Sequence, residues 1–381
     1  MRRPSRVNRP ETAVSAATKD GAARGGGRRW LFRLASVVLA VGVALVCGEV
    51  AVRVFGIGPD LCAVSRWNYR FSANPVLGYE LYPGSREPSG RINDDCMRDR
   101  SYPVTKPEGT VRIACVGDSI CYGWQVKRSE TYAKRLEAAL NRQAAPGGPV
   151  FEVLNFGVVG YNATQVVENV RTRALKYDPD VILYGYCLND PEDYSFEFDA
   201  LRKRLTAAEN DYLDWVLDRG AGWARRSRLY TLIRYAWESR TAAGARRDST
   251  LPQGPMDLWA GDHADYFVAL HEGAASWGRV EAALTDLAEI SRERRIPVYV
   301  VIFPIFKDLD AYPLAAVHDK VRAAAEGGGL TVVDLLGEYE SAERAGESIV
   351  RDLAHPSEKG HAIASAAMLR LLRAGGQVPT P

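Results

Sequence analysis

Short runs of apolar residues alternate with helix-like segments along the chain from Thr110 onward. The runs have the length and the β-branched content of strands, and apolar residues recur at the spacing of helical turns between them. The strand-like runs read VRIACVG, FEVLNFG, DVILYGY, VYVVIFP and LTVVDLL. Because these runs are apolar on both faces, helices are expected on both sides of the sheet. The pattern predicts an α/β domain in which helices flank a parallel sheet.

This alternation is interrupted by a long stretch, at about residues 191–275. The stretch has a helical but irregular pattern, and it includes the Gly- and Pro-containing segment STLPQGPMDLWAGDHADY. An insertion that follows the carboxyl end of a strand lies over the ligand crevice of a parallel sheet. Two interpretations therefore stay open: a lid that shapes the substrate site, and a subdomain that only packs against it.

Three segments of different character precede the α/β domain, which we predict over residues 109–376. Residues 1–29 carry eight Lys or Arg residues against Glu11 and Asp20, so they predict a basic, disordered tail. Residues 30–54 contain the unbroken apolar run LASVVLAVGVALVCG, which with its flanks provides about 20 residues for crossing a bilayer. Residues 55–108 are rich in turn-forming residues and predict an extended spacer.

The apolar run allows three interpretations: an uncleaved membrane anchor, a cleaved signal peptide, and a buried helix of a soluble protein. The motif GRRWLF is similar to a twin-arginine export signal, and Val46-Cys47-Gly48 is an acceptable cleavage site. The basic residues on the amino-terminal side favour a cytoplasmic amino terminus, with the rest of the chain outside. We favour the anchor, which makes this a single-pass membrane protein whose main domain is extracytoplasmic.

The net charge narrows the possible partners, and the cysteine positions allow a disulfide. A formal net charge of +2, without a stripe of basic and aromatic residues in the main domain, argues against a nucleic-acid partner. Among the six cysteines, Cys62 and Cys96 lie where an export compartment would permit a disulfide, and that bridge stays open. The sequence does not specify the oligomeric state.

Polar residues follow several of the predicted strands, where a parallel sheet opens its ligand crevice. Ser119 follows the first strand, Gly160 the second and Asn189 the third, and the last loop holds Asp352 and His355. A nucleophilic serine needs a base, and the base needs a group that fixes its tautomer. Asp352 stands three residues before His355 and is suited to that task. The other four histidines, at positions 263, 271, 318 and 361, fit solvated, capping or packing roles.

Ser119 by itself has other interpretations. A Ser or Asp between a strand and a helix commonly caps the helix. A phosphate loop is disfavoured because no Gly-Lys-Ser/Thr follows, and Cys121 stands where a nucleophile elbow of the Gly-x-Ser-x-Gly type would have glycine. Ester hydrolysis also needs donors for a developing oxyanion, which the amides of Ser119 and Gly160 and the Asn189 side chain can provide. Their joint occurrence in this order favours catalysis.

These residues resemble the SGNH, or GDSL-type, hydrolase superfamily, and the membrane run and spacer are similar to its bacterial membrane-anchored members. The four blocks read VGDSICYG, NFGVVGYNATQ, GYCLNDPED and DLAHPSEKGH. The resemblance implies a flavodoxin-like three-layer α/β/α fold and a hydrolysis that uses no metal or other cofactor. It implies that Ser119 is the nucleophile, His355 the general base and Asp352 its orienting carboxylate. Ser119, Gly160 and Asn189 would form the oxyanion hole.

Two positions depart from the pattern of this superfamily. Cys187 occupies the usual glycine position of the third block, and Cys121 corresponds to a frequent Thr or Ser. Both cysteines would flank the crevice, so a contact or bridge between them stays open.

The leading functional hypothesis is an esterase that removes a short acyl group, such as acetyl, from an extracytoplasmic glycan. The alternatives are a lipid esterase or thioesterase, a polysaccharide O-acyltransferase, and a non-catalytic binding protein with the SGNH fold. The implied partners are thus an acylated glycan or lipid as substrate, and the membrane through the amino-terminal helix.

Overall fold

The computed structural model describes residues 24–55, 57–193, 195–217, 227–241 and 263–378. Most of the predicted tail, up to residue 23, and residues 242–262 of the predicted insertion lie outside these ranges. The chain divides into two compact units: Met1–Gly58 with Ala221–Ala236, and Pro59–Gly220 with Trp237–Pro381.

The first unit is built on helix α1 (Arg24–Phe55). Its stretch Arg29–Phe55 is long and apolar enough to cross a membrane, a property that signal sequences share. The Glu49 carboxylate caps the start of helix α7 (Arg228–Thr241). It accepts hydrogen bonds from the Arg228 N–H at 3.0 Å, the Leu229 N–H at 2.9 Å and the Ser227 hydroxyl at 2.8 Å. This contact satisfies donors that a helix start leaves unpaired.

A five-stranded parallel sheet forms the centre of the second unit. Its strands are β6 (Thr110–Gly117), β7 (Val150–Asn155), β8 (Val181–Tyr186), β9 (Val298–Ile302) and β10 (Thr331–Asp334). Their order in the sheet is β10-β9-β8-β6-β7. If β6 to β10 are numbered 1 to 5 in chain order, the sheet order read from β7 is 2-1-3-4-5. This is the strand order of doubly wound, flavodoxin-like folds. The predicted parallel sheet and its fold class are confirmed.

Helices cover both faces of this sheet. Consecutive strand residues point to opposite sides, so neighbouring residues of β6 pack against different helices. Ile113 and Cys115 pack with α3 (Tyr132–Gln143), α11 (Leu336–Arg344) and α12 (Glu358–Ala374). On the other face, Ala114 and Val116 pack with α4 (Ala163–Thr172), α9 (Ala274–Arg294) and α10 (Ala315–Gly327). The two buried clusters give the three-layer α/β/α architecture.

Short helices and strands complete the second unit. The remaining helices are α2 (Ser119–Tyr122), α5 (Phe196–Arg202), α6 (Ala207–Leu217) and α8 (His263–Glu272). The small strands are β1 (Ser65–Arg66), β2 (Tyr69–Phe71), β3 (Tyr79–Leu81), β4 (Arg86–Glu87) and β5 (Gly90–Arg91). Strands β1 to β3 form one antiparallel sheet, and β4 and β5 form another.

Residues 59–108 pack onto the main domain through these small sheets. Tyr79 and Leu81 are fully buried and belong to the core cluster that holds Ala114 and Val116. The segment that the sequence predicts to be an extended spacer thus contributes large side chains to the core on one face of the sheet.

All six cysteines are free in this structure. The bridges between Cys62 and Cys96 and between Cys121 and Cys187 that the sequence left open are not formed. Cys121 and Cys187 are fully buried, and the sulfur of Cys121 lies 3.6 Å from the Asn155 side-chain oxygen. Both behave as small apolar core residues.

Arg112 at the start of β6 is the largest fully buried side chain of the described residues. Its Nε donates to Glu152 on β7 at 2.8 Å. Its other nitrogens donate to three backbone carbonyls, those of Pro103, Val104 and Tyr177, at 2.7 to 2.9 Å. Arg112 therefore joins the segment before β6 to the amino-terminal edge of the sheet.

We predict that Arg112→Ala lowers the free energy of unfolding by about 3–5 kcal/mol, because the buried Glu152 carboxylate loses its 2.8 Å partner and keeps only the longer contact with Arg100 at 3.8 Å. The measurement is chemical denaturation of the purified full-length protein in detergent. Arg142→Ala, at an exposed position of α3, is the matched control and should change stability by less than about 0.5 kcal/mol. Equal stability of the two variants would contradict this role of Arg112.

Candidate active site

The predicted site residues meet at the carboxyl edge of the sheet. Ser119 follows β6 and Asn189 follows β8, the two strands between which the chain order reverses. Ligands of open α/β sheets bind at this kind of switch point. Ser119, Gly160, Asn189, Asp352 and His355 line a single crevice of about 540 Å³. The structure thus brings together all five residues that the sequence indicated.

A sharp strand-to-helix turn presents Ser119. Gly117 has φ +152°, and a Cβ there would lie 2.8 Å from the carbonyl oxygen of Gly185 on the neighbouring strand, so the turn requires glycine. The helix cap is Asp118, whose carboxylate accepts the Ile120 N–H at 2.9 Å. The Ser119 hydroxyl is therefore not used as the cap.

Ser119, His355 and Asp352 form a continuous hydrogen-bonded chain. The Ser119 hydroxyl lies 2.9 Å from His355 Nε2, and His355 Nδ1 lies 2.8 and 2.9 Å from the two Asp352 oxygens. Since Nδ1 faces a carboxylate, it carries the ring proton, and Nε2 is left as an acceptor for the serine hydroxyl. This arrangement can remove a proton from Ser119 when the hydroxyl attacks a carbonyl.

The Asp352 carboxylate is held by several donors. The backbone N–H groups of Ala354 and His355 donate to it at 3.0 and 2.9 Å, and the Gln125 amide donates at 2.8 Å. Burial raises the pKa of Asp352, but the hydrogen bond and charge of His355 and these backbone bonds outweigh burial and hold the pKa below its usual value. Asp352 therefore stays ionised at neutral pH. Sequence reasoning missed Gln125, because a polar residue in a loop carries no distinguishing pattern.

The Gly160 loop is fixed from the amino-terminal small sheet. The Tyr79 hydroxyl donates to the Val159 carbonyl at 2.7 Å, and the Tyr161 hydroxyl donates to the Tyr79 carbonyl at 2.6 Å. Gly160 has φ +75°, and a Cβ there would collide with the Glu197 carboxylate and the Tyr79 hydroxyl. The loop conformation and its surroundings both require glycine at this position.

Asn189 lies beside the buried carboxyl group that precedes the serine. Burial raises the pKa of Asp118, although hydrogen bonds from the Ile120 N–H, Ser119 and the Asn189 side chain, together with the His355 charge, oppose the rise. The Asn189 side-chain oxygen is buried and has no hydrogen-bond partner within the described ranges. A buried amide group without a partner is costly unless a ligand or water completes it.

Three more carboxyl groups follow β8, and sequence reasoning did not assign them a role. Burial raises the pKa of Asp190 well above its usual value, that of Glu192 to about 7 and that of Glu197 to about 6. Glu192 accepts a hydrogen bond from the Tyr266 hydroxyl at 2.7 Å, and Glu197 accepts one from Ser195 at 3.2 Å. The acidic run after Asn189 was the available signal, since perturbed carboxyl groups in a crevice mark functional sites.

Three of the other four histidines lie in packed or locally hydrogen-bonded positions. Buried His271 contacts the Tyr186 hydroxyl at 2.8 Å and the Phe267 carbonyl at 2.7 Å. Buried His318 pairs with Asp334 at 3.0 Å, and His361 Nδ1 accepts the Tyr132 N–H at 3.2 Å. His263 begins α8. Within the described part of the chain, no three His, Cys, Asp or Glu side chains form a group that could hold a metal ion.

Comparisons with known proteins identify one family. The family model described as GDSL-like Lipase/Acylhydrolase matches residues 115–363, which is more than half of the chain. No curated protein matches the sequence.

The chain is also similar to solved structures. One is a lipolytic protein of the G-D-S-L family from Veillonella parvula, with 14% identity over 69% of this chain and 99% of that one, at a TM-score of 0.38. Another is an acetylxylan esterase from Geobacillus stearothermophilus, with 14% identity over 68% and 93% and a TM-score of 0.41. A two-domain esterase active on acetylated mannans gives 15% identity over 71% and 52%, with a TM-score of 0.40.

Glu192 generates a prediction about stability and pH. Its pKa of about 7 in the folded protein lies above the usual value, so the unfolded chain ionises first as pH rises. The folded state should therefore lose about 3 kcal/mol between pH 4.5 and 7 through this one group. Glu192→Gln keeps an acceptor for Tyr266 and removes the titration.

The measurement is the free energy of unfolding of both proteins at pH 5 and pH 8. We expect Glu192→Gln to be more stable relative to wild type at pH 8 than at pH 5. The same difference between the two proteins at both pH values would show that Glu192 is not held protonated by burial.

Proposed function

Because the chain belongs to the GDSL-like lipase/acylhydrolase family of ester-bond hydrolases, we propose that it acts through an acyl-enzyme intermediate formed on Ser119. The observation that carries this proposal is the hydrogen-bonded chain from Ser119 through His355 to Asp352. A serine is a weak nucleophile at neutral pH unless a base within hydrogen-bond reach takes its proton. His355 Nε2, at 2.9 Å, is within that reach.

In the first half of the reaction, the Ser119 oxygen attacks the ester carbonyl while His355 Nε2 takes the hydroxyl proton. Asp352 stabilises the imidazolium that forms and keeps the ring oriented. The tetrahedral intermediate collapses, the carbon–oxygen bond to the alcohol breaks, and His355 returns the proton to the leaving alcohol. The acyl group remains on Ser119 as an ester.

In the second half, His355 takes a proton from water, and the water oxygen attacks the acyl carbon. The bond from that carbon to the Ser119 oxygen then breaks, His355 returns the proton to Ser119, and the carboxylic acid leaves. Negative charge develops on the carbonyl oxygen in both halves. The proposed donors for this oxyanion are the N–H groups of Ser119 and Gly160 and the Asn189 side-chain amide. Each such donor contributes about 10²- to 10³-fold to the rate in enzymes of this kind.

The proposed substrate is a short acyl ester, such as acetyl, on an extracytoplasmic glycan. Polar side chains near the nucleophile, including Asn162 and Glu197, suit the hydroxyl groups of a carbohydrate. An esterase for lipids or longer acyl groups is the second candidate. It is favoured by the mostly apolar crevice wall, to which Trp67, Tyr69 and Val159 contribute.

We predict that Ser119→Ala lowers turnover of p-nitrophenyl acetate by about 10⁴- to 10⁶-fold, because no acyl-enzyme can form. Asp352→Asn should lower kcat by about 10³- to 10⁴-fold, because His355 loses the partner that sets its tautomer. The measurement is steady-state kinetics of the full-length protein in detergent.

Ser341→Ala is the control, since Ser341 is exposed on α11 and bonds only locally to the Gly337 carbonyl in the described contacts. It should retain wild-type turnover. Turnover by Ser119→Ala equal to wild type would end the proposal of this nucleophile. Activity on long-chain esters alone would favour the lipid candidate over the short-acyl one.

We further propose the domain arrangement that the sequence suggests: a cytoplasmic tail at 1–29, an anchor at 30–54, a segment at 55–108 and an extracytoplasmic hydrolase domain at 109–376. The support is the basic tail before the apolar stretch Arg29–Phe55 of α1.

A reporter that is active only after export, fused after Pro381, should be active in bacterial cells. An amino-terminal tag should stay on the mature protein if α1 is an anchor. A carboxyl-terminal reporter that works only in the cytoplasm would contradict this topology, and loss of the tag would identify α1 as a cleaved signal.

A further inference from the structure

Three aromatic side chains are exposed at the crevice that holds Ser119. Trp67 is 62% exposed, Trp124 is 39% exposed and Phe196 is 38% exposed, and all three line the crevice. Trp124 lies beside the proposed base, with its ring 6.4 Å from the His355 ring. Aromatic surface clustered in this way around a nucleophile indicates a binding surface, since isolated exposed apolar residues are common but clusters are not.

Trp67 is held in an unusual backbone conformation. It lies in the turn between β1 and β2 and has φ +51°, a left-handed conformation that is unfavourable for a bulky residue. The Arg66 guanidinium lies 4.2 Å from the centre of the indole, and the Phe196 ring stacks on it at 6.0 Å and 22°. Strained backbone that the surroundings hold in place is concentrated at functional sites.

Two separate segments fix this aromatic pair. Trp67 comes from the small sheet before the main domain, and Phe196 begins α5, whose start is capped by Ser195. The Arg66 guanidinium also reaches the Ala200 carbonyl of α5 at 3.5 Å. Both rings therefore have a defined position before any substrate binds, which lowers the entropy cost of binding.

The charges around the crevice restrict what can bind there. Glu192, Glu197 and Asp352 line it, and no Lys or Arg occurs among the lining residues that the structure describes. Arg66 is already engaged by the Trp67 ring and the Ala200 carbonyl. A phosphate or carboxylate on the substrate would therefore meet like charge without a compensating cation. Hydroxyl groups, in contrast, can donate hydrogen bonds to carboxyl oxygens.

We propose that Trp67 and Phe196 form a binding subsite for an uncharged sugar ring in the alcohol part of the ester. The C–H groups on the face of a sugar ring match the negative face of an aromatic ring, and the hydroxyl groups at its edge match the acceptors of Glu192 and Glu197. This inference rests on the proposed function, because it takes Ser119 as the attacking group. It assigns the neutral glycan, and not an anionic lipid or nucleotide thioester, as the substrate.

The test compares two acetyl esters on the full-length protein in detergent. One is ethyl acetate, whose alcohol part is neither a sugar nor an aromatic ring, and the other is mono-O-acetylated cellobiose, a neutral disaccharide. Trp67→Ala should raise KM for the disaccharide ester about tenfold while kcat for it and kcat/KM for ethyl acetate stay unchanged. A variant that simply misfolds would lose activity on both esters.

Tyr82→Ala is the matched control. Tyr82 is an exposed aromatic residue of the same segment, it carries the Arg70 guanidinium 5.8 Å from its ring centre, and it is not among the crevice-lining residues. It should leave KM for both esters unchanged. An unchanged KM for acetylated cellobiose in Trp67→Ala would overturn the subsite, while Ser119-dependent hydrolysis of p-nitrophenyl acetate would still support the proposed function.

A second measurement does not depend on turnover. Calorimetric titration of Ser119→Ala with acetylated cellobiose should show binding, and the double variant with Trp67→Ala should bind about tenfold more weakly. Absence of binding in Ser119→Ala would overturn the subsite.

Glu197→Gln should reduce the preference of the enzyme for acetylated cellobiose over acetylated glucuronic acid, which is anionic. If the wild-type enzyme hydrolysed these two esters equally well, the role assigned to the carboxyl groups would be contradicted.

Discussion

Burial of both faces of the parallel sheet is the constraint on which the rest of this structure depends. Strands β6 and β8 lie in the middle of the sheet and have no exposed residues. Helices must therefore cover both faces, and each crossover returns the chain to the same edge of the sheet. Polar residues that follow different strands are brought to one place in this way. The crevice with Ser119 and Asn189 is a direct result of that topology.

The segment before the main domain completes this crevice. Tyr79 is fully buried, and its hydroxyl holds the Val159 carbonyl beside Gly160, while Trp67 contributes to the crevice wall. The family match begins only at residue 115, so this support for the Gly160 loop comes from outside the matched region. The loop geometry thus depends on contacts about 80 residues apart in sequence. Residues 59–108 belong to the architecture of the site.

The sheet and the residues at the strand ends were predictable because their signals are local. Apolar runs of six to eight residues indicate strands such as β6 and β8. Ser119 and Asn189 follow these strands closely, and His355 stands three residues after Asp352. The small strands of two or three residues, β1 to β5, are too short for a period to be detected. Burial of Tyr79 depends on long-range contacts, which no local pattern encodes.

Finer details at the site were also beyond the sequence for physical reasons. Asp118 and Ser119 are neighbours that can both cap a helix, and only the backbone geometry shows that Asp118 does so. The cysteine pairs were compatible with bridges by compartment and position alone, and the structure leaves all of them free. Disulfide geometry depends on distances that sequence separation does not contain.

Burial also controls the charge of the carboxyl groups at the site. Burial raises the pKa of Asp118, which precedes Ser119, and of Glu192 and Glu197, which line the crevice. A negative charge on the transition state is opposed by ionised carboxylates and much less by protonated ones. Burial thus raises the pH at which Glu192 and Glu197 ionise, while His355 holds the pKa of Asp352 below its usual value. Shape and electrostatics of the crevice are therefore set by the same buried side chains, and enlarging the crevice would change both at once.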